Sequence, residues 1–288
     1  MLNRFLIAAF VSVFAFNAQA QVIDPETAWN AAYDARTDGP VDVPLGDQAV
    51  FHMADDLFFI PKTEATALMR SWGNQVEPSF YGLIAPKDNN QPWIVSVKYI
   101  RDGYVKDEDA ASWDKDEMLE SFKQGTLEHN KELIEMGMPG LIVTGWVEEP
   151  AYDKANHRLV WSLAADEIGA PASAPATVNY NTYALGRDGY FEINLLTSDQ
   201  TIATDKVYAQ NILASVQYND GKRYQDYTAG DNVAAYGLMA LVGGGLVAKK
   251  LGLIAVVGLF LAKFAKLILI GGAVALGGFA KMFGRKSR

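Results

Sequence analysis

The chain reads as an α+β protein, mostly antiparallel sheet with packed helices, followed by a helical C-terminal membrane segment. Three observations predict this. Apolar runs of strand length come in pairs around turn residues, the signature of hairpins and antiparallel sheet. Between those pairs lie stretches with capping residues and helical apolar spacing. No acid follows Asp231, and Leu251 to Ala280 is almost wholly apolar before a basic run of Lys281, Arg285, Lys286 and Arg288.

At the N-terminus, Arg4 precedes an apolar run from Phe5 to Phe16, and Ala18-Gln19-Ala20 offers small residues to a signal peptidase. Residues 1–20 are therefore expected to be a signal peptide, with the mature chain starting at Gln21. An uncleaved anchor is the alternative, though the run is short beside the ~20 residues needed to span a bilayer. Asp24 followed by Pro25 is an N-cap with proline in the first turn, opening a helix that carries Trp29 and Tyr33. Val41 to Leu45 and Gln48 to Met53 flank Gly46-Asp47 as a hairpin. Pro61 and Thr63 start a helix with Ala65, Leu68, Met69 and Trp72 on one face, stopped at Gly73.

Phe80 to Ala85 and Trp93 to Ile100 read as paired strands. Asp114, with Glu117 three residues on, caps a long helix whose Met118, Phe122, His129, Leu133 and Met136 line a face, until Gly137, Pro139 and Gly140 end it. Leu141 to Tyr152 with His157 to Leu163, and Thr177 to Leu185 with Tyr190 to Leu196, form two further hairpins. Gly169 to Ala176 is a Pro and Ala loop, and Thr201 to Val216 reads as a helix with Tyr208, Ile212 and Val216 inward. No internal repeat is present. The expected organisation is thus a signal peptide over 1–20, an exported α+β domain over 21–232, a helical membrane region over 233–283 and a basic cytoplasmic tail over 284–288.

Charge follows that division. All 34 acids lie between residues 21 and 232, while eight Lys and Arg and no acid follow. An acidic domain disfavours nucleic acid, whose phosphates demand clustered Lys and Arg. Cysteine is absent, which removes disulfides, thiolate metal sites and thiol catalysis. The basic end predicts a cytoplasmic C-terminus and a periplasmic domain at a bacterial inner membrane, hence an odd number of crossings. Lysines interrupt the tract, and on a continuous helix Lys249, Lys263, Lys266 and Lys281 share one arc of roughly 100°. They are the expected lipid contacts, either from an interfacial helix before a terminal span or along a polar seam in a helical hairpin or oligomer, for which the many glycines allow close packing.

Within the domain, catalytic signatures are sparse. His52, His129 and His157 do not share a zinc spacing, no serine sits in a nucleophile elbow, and no glycine loop cradles phosphate. No metal or other cofactor is implied. The acidic run from Asp102 to Glu117 invites calcium, and from Asp107 two carboxylates fit an EF-hand loop, but Ala111 and Met118 occupy ligand positions and the turn glycine is missing. Glu77, Glu148, Glu149 and Asp153 could supply paired carboxylates if they converge. Tyr81, Tyr104, Trp113, Trp146 and Trp161 are the candidate binding residues, with core packing as the competing role.

Several blocks in fixed order carry a family resemblance: EPSFYGLIAP from Glu77, DGYVKDEDAASWDKDEMLESFKQGT from Asp102, GWVEEPAYDKANHRLVW from Gly145, YALGRDGYF from Tyr183 and AAYGLMALVGGGLVAKK from Ala234. Together they resemble the bacterial membrane-anchored family known as domain of unknown function 2167. That resemblance implies an envelope protein and brings no catalytic residue with it. The order of hairpins closed by a helix ending in Ile212-Leu213-Ala214-Ser215-Val216 also resembles, at the level of fold, PsbP-type binding and assembly modules. The expected function is a non-enzymatic binding or assembly module partnered by the lipid bilayer and by an envelope protein or a second copy. A carboxylate-dependent hydrolase of envelope glycans or peptides is the alternative.

Overall fold

The structure is a computed structural model, and it describes residues 24–243 apart from 73, 75, 136–138 and 172–173. The expected signal peptide, the lipid-contacting Lys249, Lys263, Lys266 and Lys281, the helix stops at Gly73 and Gly137, and Met136 lie outside the described residues. Among those residues, no helix is long and apolar enough to cross a membrane.

The elements follow the expected order with additions. They are α1 (Pro25–Asp34), β1 (Thr37–Asp38), β2 (Val41–Leu45), β3 (Ala49–Met53), β4 (Leu57–Pro61), α2 (Lys62–Ser71), β5 (Phe80–Pro86), β6 (Ile94–Ile100) and β7 (Tyr104–Lys106). Then come α3 (Lys115–Glu135), β8 (Leu141–Asp153), β9 (Arg158–Glu167), β10 (Thr177–Leu185), β11 (Tyr190–Ser198), α4 (Ile202–Ser215), β12 (Val216–Tyr218), β13 (Val233–Gly237) and α5 (Leu238–Gly243). The caps work as their residue types require: the Asp24 carboxylate accepts from Thr27 N at 2.9 Å, and that of Asp114 from Glu117 N at 2.9 Å. In the β2–β3 turn Gly46 sits at φ 63°, where a Cβ would also run into the Tyr81 hydroxyl, so glycine is required twice over.

Eight strands build one antiparallel sheet in the order β1-β4-β5-β6-β11-β10-β9-β8. Period-two alternation splits its side chains between two faces. On β11, Phe191, Ile193 and Leu195 enter a core closed by the small β12-β3-β2 sheet and by Ile212 and Leu213 of α4. On the other face, Leu196 meets α1 and α2 through Trp29 and Leu68, while Tyr190 meets α3 and α5 through Met118 and Leu238. Between these two helix pairs a polar row crosses the sheet. Ser96, Lys98, Asn181, Glu192 and Asn194 occupy it; the Lys98 ammonium lies 3.2 Å from the Glu192 carboxylate, and Asn194 donates to Asn181 at 2.6 Å.

The expected domain boundary at residue 232 needs correction. Val233–Gly237 is a strand parallel to β7, and Leu238, Leu241 and Val242 are buried in the domain core. Each such side chain contributes about 1.5–3 kcal/mol on burial, so residues 233–243 stay with the folded domain instead of opening a membrane region.

Candidate functional site

The expected binding aromatics do not assemble on one surface. Tyr81 packs from β5 against the first core, its ring 6.2 Å from Phe191. Tyr104, Trp113, Trp146 and Trp161 all join the cluster beneath α3 and α5. Trp161 is buried, with Phe122 at 5.0 Å and Trp146 edge-on at 6.3 Å, while the Trp146 indole donates to Lys115 O at 3.2 Å. Trp161 thus belongs to the core and not to a binding face, because the amphipathic α3 must cover apolar strand residues somewhere and these rings are its floor. Tyr104 is enclosed between Tyr224 and Tyr227, each at 4.3 Å.

The carboxylates are likewise dispersed. Glu148 accepts from the Tyr180 hydroxyl and pairs with Lys206 of α4, both at 3.1 Å, whereas Glu149, next along the strand, pairs with Lys115 of α3 at 2.7 Å. Adjacent strand residues point to opposite faces, which is why the two find different helices. Asp153 holds the β8–β9 turn by accepting from Ala155 N and Asn156 N. At about 3.3 Å per residue it stands roughly 15 Å from Glu148, too far for a shared acid-base reaction. In the acidic run, Asp107 accepts from the Tyr152 hydroxyl, Asp114 caps α3, and Asp109 accepts from Leu238 N and Met239 N. Burial raises the Asp109 carboxyl above its usual range, against the lowering effect of those two backbone bonds. Among the described residues no group of three His, Asp or Glu is placed to hold a metal.

A concave surface lies elsewhere, at the sheet end where the β8–β9 turn, β10 and β12 meet the loop 219–232. It is an open groove of about 610 Å³, lined by Asn156, His157, Leu185, Gln217, Tyr218, Asn219, Asp220, Arg223, Tyr224 and Gln225. The loop that forms its wall is fixed at several points. Lys222 reaches Asp47 at 3.2 Å and Asp188 at 3.3 Å, and the Arg187 guanidinium grips both oxygens of Asp231 at 2.7 and 2.8 Å. Arg187 holds the Asp231 carboxyl well below the ordinary carboxylate range. Asn219 is tied to Gln48 O through its backbone and to Asp47 O through its side chain.

Two tyrosines in the groove lining use their hydroxyls inside the domain: Tyr218 donates to Ala184 O at 2.8 Å and Tyr224 to Val105 O at 2.9 Å, and the Tyr224 ring is buried with Tyr104 against it at 4.3 Å. His157 stacks on Tyr224 at 4.2 Å and sits at φ 53°. That left-handed conformation costs a non-glycine residue about 1–2 kcal/mol. Its tautomer follows from a chain of hydrogen bonds. The Asp107 carboxylate can only accept, so the single Tyr152 proton goes there, and the Tyr152 oxygen accepts from His157 Nδ1–H at 3.3 Å. Nε2 is then a lone-pair acceptor, and burial lowers the His157 pKa, keeping the ring neutral at pH 7. His52, by contrast, is exposed and bonded to Asp42 at 2.6 Å, which raises its pKa.

Sequence reasoning passed over Gln217, Asn219, Arg223, Tyr224 and Gln225. A usable signal was there: between Gln217 and Gln225, amides and aromatics crowd around the turn Asn219-Asp220-Gly221.

No curated protein matches the chain. Among solved structures it is similar to the cyanobacterial PsbP protein CyanoP from Synechocystis, at 8% identity over 64% of this chain and 91% of that one, with a TM-score of 0.37. It is also similar to the Saccharomyces cerevisiae Ran-binding protein Mog1p, at 10% identity over 67% of this chain and 100% of that one, with a TM-score of 0.33. Likenesses of this size carry no argument about what the chain does. The family of proteins of unknown function DUF2167 matches residues 37–273, from the first strand of the large sheet into the C-terminal apolar tract, and the chain belongs to that family.

Proposed function

We propose that this chain is a bacterial envelope protein whose folded domain is a non-enzymatic binding or assembly module, with the groove beside β12 as its recognition surface. The carrying observation is that the groove wall is preorganised by ion pairs and backbone bonds while Glu148 and Glu149 are paired separately with lysines of two different helices. A preset surface without a converging acid and base suits binding better than hydrolysis. In this reading the domain is periplasmic and the apolar tract anchors it in the inner membrane, with Lys249, Lys263, Lys266 and Lys281 meeting lipid headgroups and the basic end in the cytoplasm. Support comes from the export-like N-terminus, the acids confined to the stretch before residue 232, and the basic C-terminus.

Two experiments test it. Alkaline phosphatase fused after Gly243, which keeps β13 and α5 with the domain, is expected to be active and after Arg288 inactive, and the reverse pattern overturns the topology. Photo-crosslinkers placed across the domain surface of the full-length protein in cells are expected to capture a specific envelope component or a second copy. Absence of any specific adduct from well-expressed protein overturns the binding-module reading.

A further inference from the structure

We propose that the corner of the domain formed by the second half of α3 and the start of β8 lies against the lipid bilayer, an inference that rests on the membrane-anchored reading and adds a second contact between domain and membrane. Among the described residues, Leu127, Ile134, Ile142 and Ile168 are 48% to 62% exposed although apolar. They converge on one point. Asn130 of α3 donates to Leu141 O and accepts from Leu141 N, both at 2.8 Å, so the helix hooks over the edge of β8, the last strand of the sheet. Leu127 and Ile134 lie within one turn of Asn130, about 60° and about 40° to one side of it, while the core-facing Met118 and Phe122 lie about 120° and about 80° to the other. Ile168 N donates to Gly140 O at 2.8 Å, and its side chain ends beside Asn130: a Cβ on Gly140 would stand 2.8 Å from Ile168 Cδ1 and 3.1 Å from Asn130 Cγ. Ile142 follows Leu141 and takes the opposite face of the strand, so the four side chains wrap the corner as one aliphatic rim.

What covers this rim follows from where the chain goes next. α5 packs against α3 and ends at Gly243, the last described residue. Residues 244–250 then lead to the apolar tract from Leu251 to Ala280. Fully extended, that connection reaches about 24 Å. The tract therefore begins within that distance of α5, and a bilayer that holds the tract is brought up to the side of the domain that α3 and α5 share. The rim is Leu and Ile, without the Tyr, Trp or Arg that anchor protein interfaces. Aliphatic side chains of this kind enter the boundary between headgroups and acyl chains. Glu128 and Lys131, exposed on the same stretch of α3, offset each other, so the contact is apolar rather than electrostatic. Val207, half exposed on α4, belongs to the helix that covers the opposite face of the sheet.

The chain has no cysteine, so a single introduced thiol can carry a fluorophore. Full-length Leu127→Cys, Ile134→Cys, Ile142→Cys and Val207→Cys are each labelled with nitrobenzoxadiazole and reconstituted in phosphatidylcholine vesicles, with and without phosphatidylglycerol. Emission from the first three is expected to exceed that from Val207→Cys severalfold and to be quenched by lipids with nitroxide-bearing acyl chains, at low and high salt alike, while Val207→Cys is unaffected. Adding Leu127→Ser and Ile134→Ser should abolish quenching at Ile142→Cys without changing flotation of the protein with the vesicles. Quenching that is absent at all three sites, equal at Val207→Cys, or unchanged by the serine pair, in protein that floats, overturns the inference and leaves the anchor standing. Shielded but unquenched probes, with unlabelled Ile134→Cys crosslinking between copies, give the rim to a second copy and likewise overturn it. Protein that fails to float removes the anchor itself and the inference with it.

Discussion

Removing one member of the Lys98–Glu192 pair should destabilise the domain far more than removing both. The two groups face each other across β6 and β11 at 3.2 Å, with side-chain exposures of 14% and 6%. At an effective dielectric near 20 their attraction is about 5 kcal/mol, set against desolvation of both ions. Glu192→Met leaves the Lys98 ammonium without its partner on the sheet, and Lys98→Met does the same to the carboxylate. Each is expected to cost about 3–5 kcal/mol. Because a domain of this kind is stable by only about 5–15 kcal/mol, either single variant forfeits a large fraction of its stability. The double variant Lys98→Met/Glu192→Met restores a neutral surface of similar volume and is expected within about 1 kcal/mol of the original protein. Urea unfolding of the full-length protein and its variants, followed by tryptophan fluorescence, gives the double-mutant cycle. Single costs below about 1 kcal/mol, or a double cost equal to their sum, would refute the assignment of this pair as a buried, coupled one.

Asp114→Ala removes the N-cap of α3 and should lower stability by about 1 kcal/mol in the same assay. Burial holds the folded pKa of His157 below its ordinary value of 6.5, so the stability linked to its neutral ring is full above 6.5 and is lost as pH falls through the folded pKa. Its resonance titration should have a midpoint under 6.5, and Asp107→Asn should move that midpoint lower, since the Asp107 charge raises it; an upward move would contradict the hydrogen-bond chain. Asp231, depressed by Arg187, contributes stability above the unfolded carboxylate pKa near 3.9 that disappears as pH falls through its lower folded value. Asp231→Asn should therefore expose Lys222 and Arg223 to trypsin several-fold faster at pH 7, and unchanged cleavage would show that the Arg187 clamp does not hold the loop.

The strands that escaped sequence reading did so for identifiable reasons. β4 is Leu57-Phe58-Phe59-Ile60, apolar on both faces because helices cover one side of the sheet and the small sheet the other, so it shows no alternation. β7 and β12 are three residues each, too short to display a period, and both are defined by partners distant in sequence: β13 for one and β3 for the other. The hairpins β2–β3, β8–β9 and β10–β11 were legible because turn and strand signals are local. The same contrast governs the apolar residues after 232. Composition marks them as apolar, but whether a Leu238 meets lipid or Met118 depends on whether the fold leaves a matching gap there.

The sequence by itself determined the α+β class, the hairpin pairing, the helix caps and the separation of an acidic body from a basic, apolar end, all of which depend on neighbours within a few residues. Only the tertiary structure decided that Trp161 is core, that Glu148 and Asp153 stay apart, and that residues from the β8–β9 turn, β10, β12 and the 219–232 loop meet in a groove. Those outcomes depend on strand order and on which face each residue takes. A side chain's own chemistry says what it can bind, while the packing of residues far along the chain says what it is brought to.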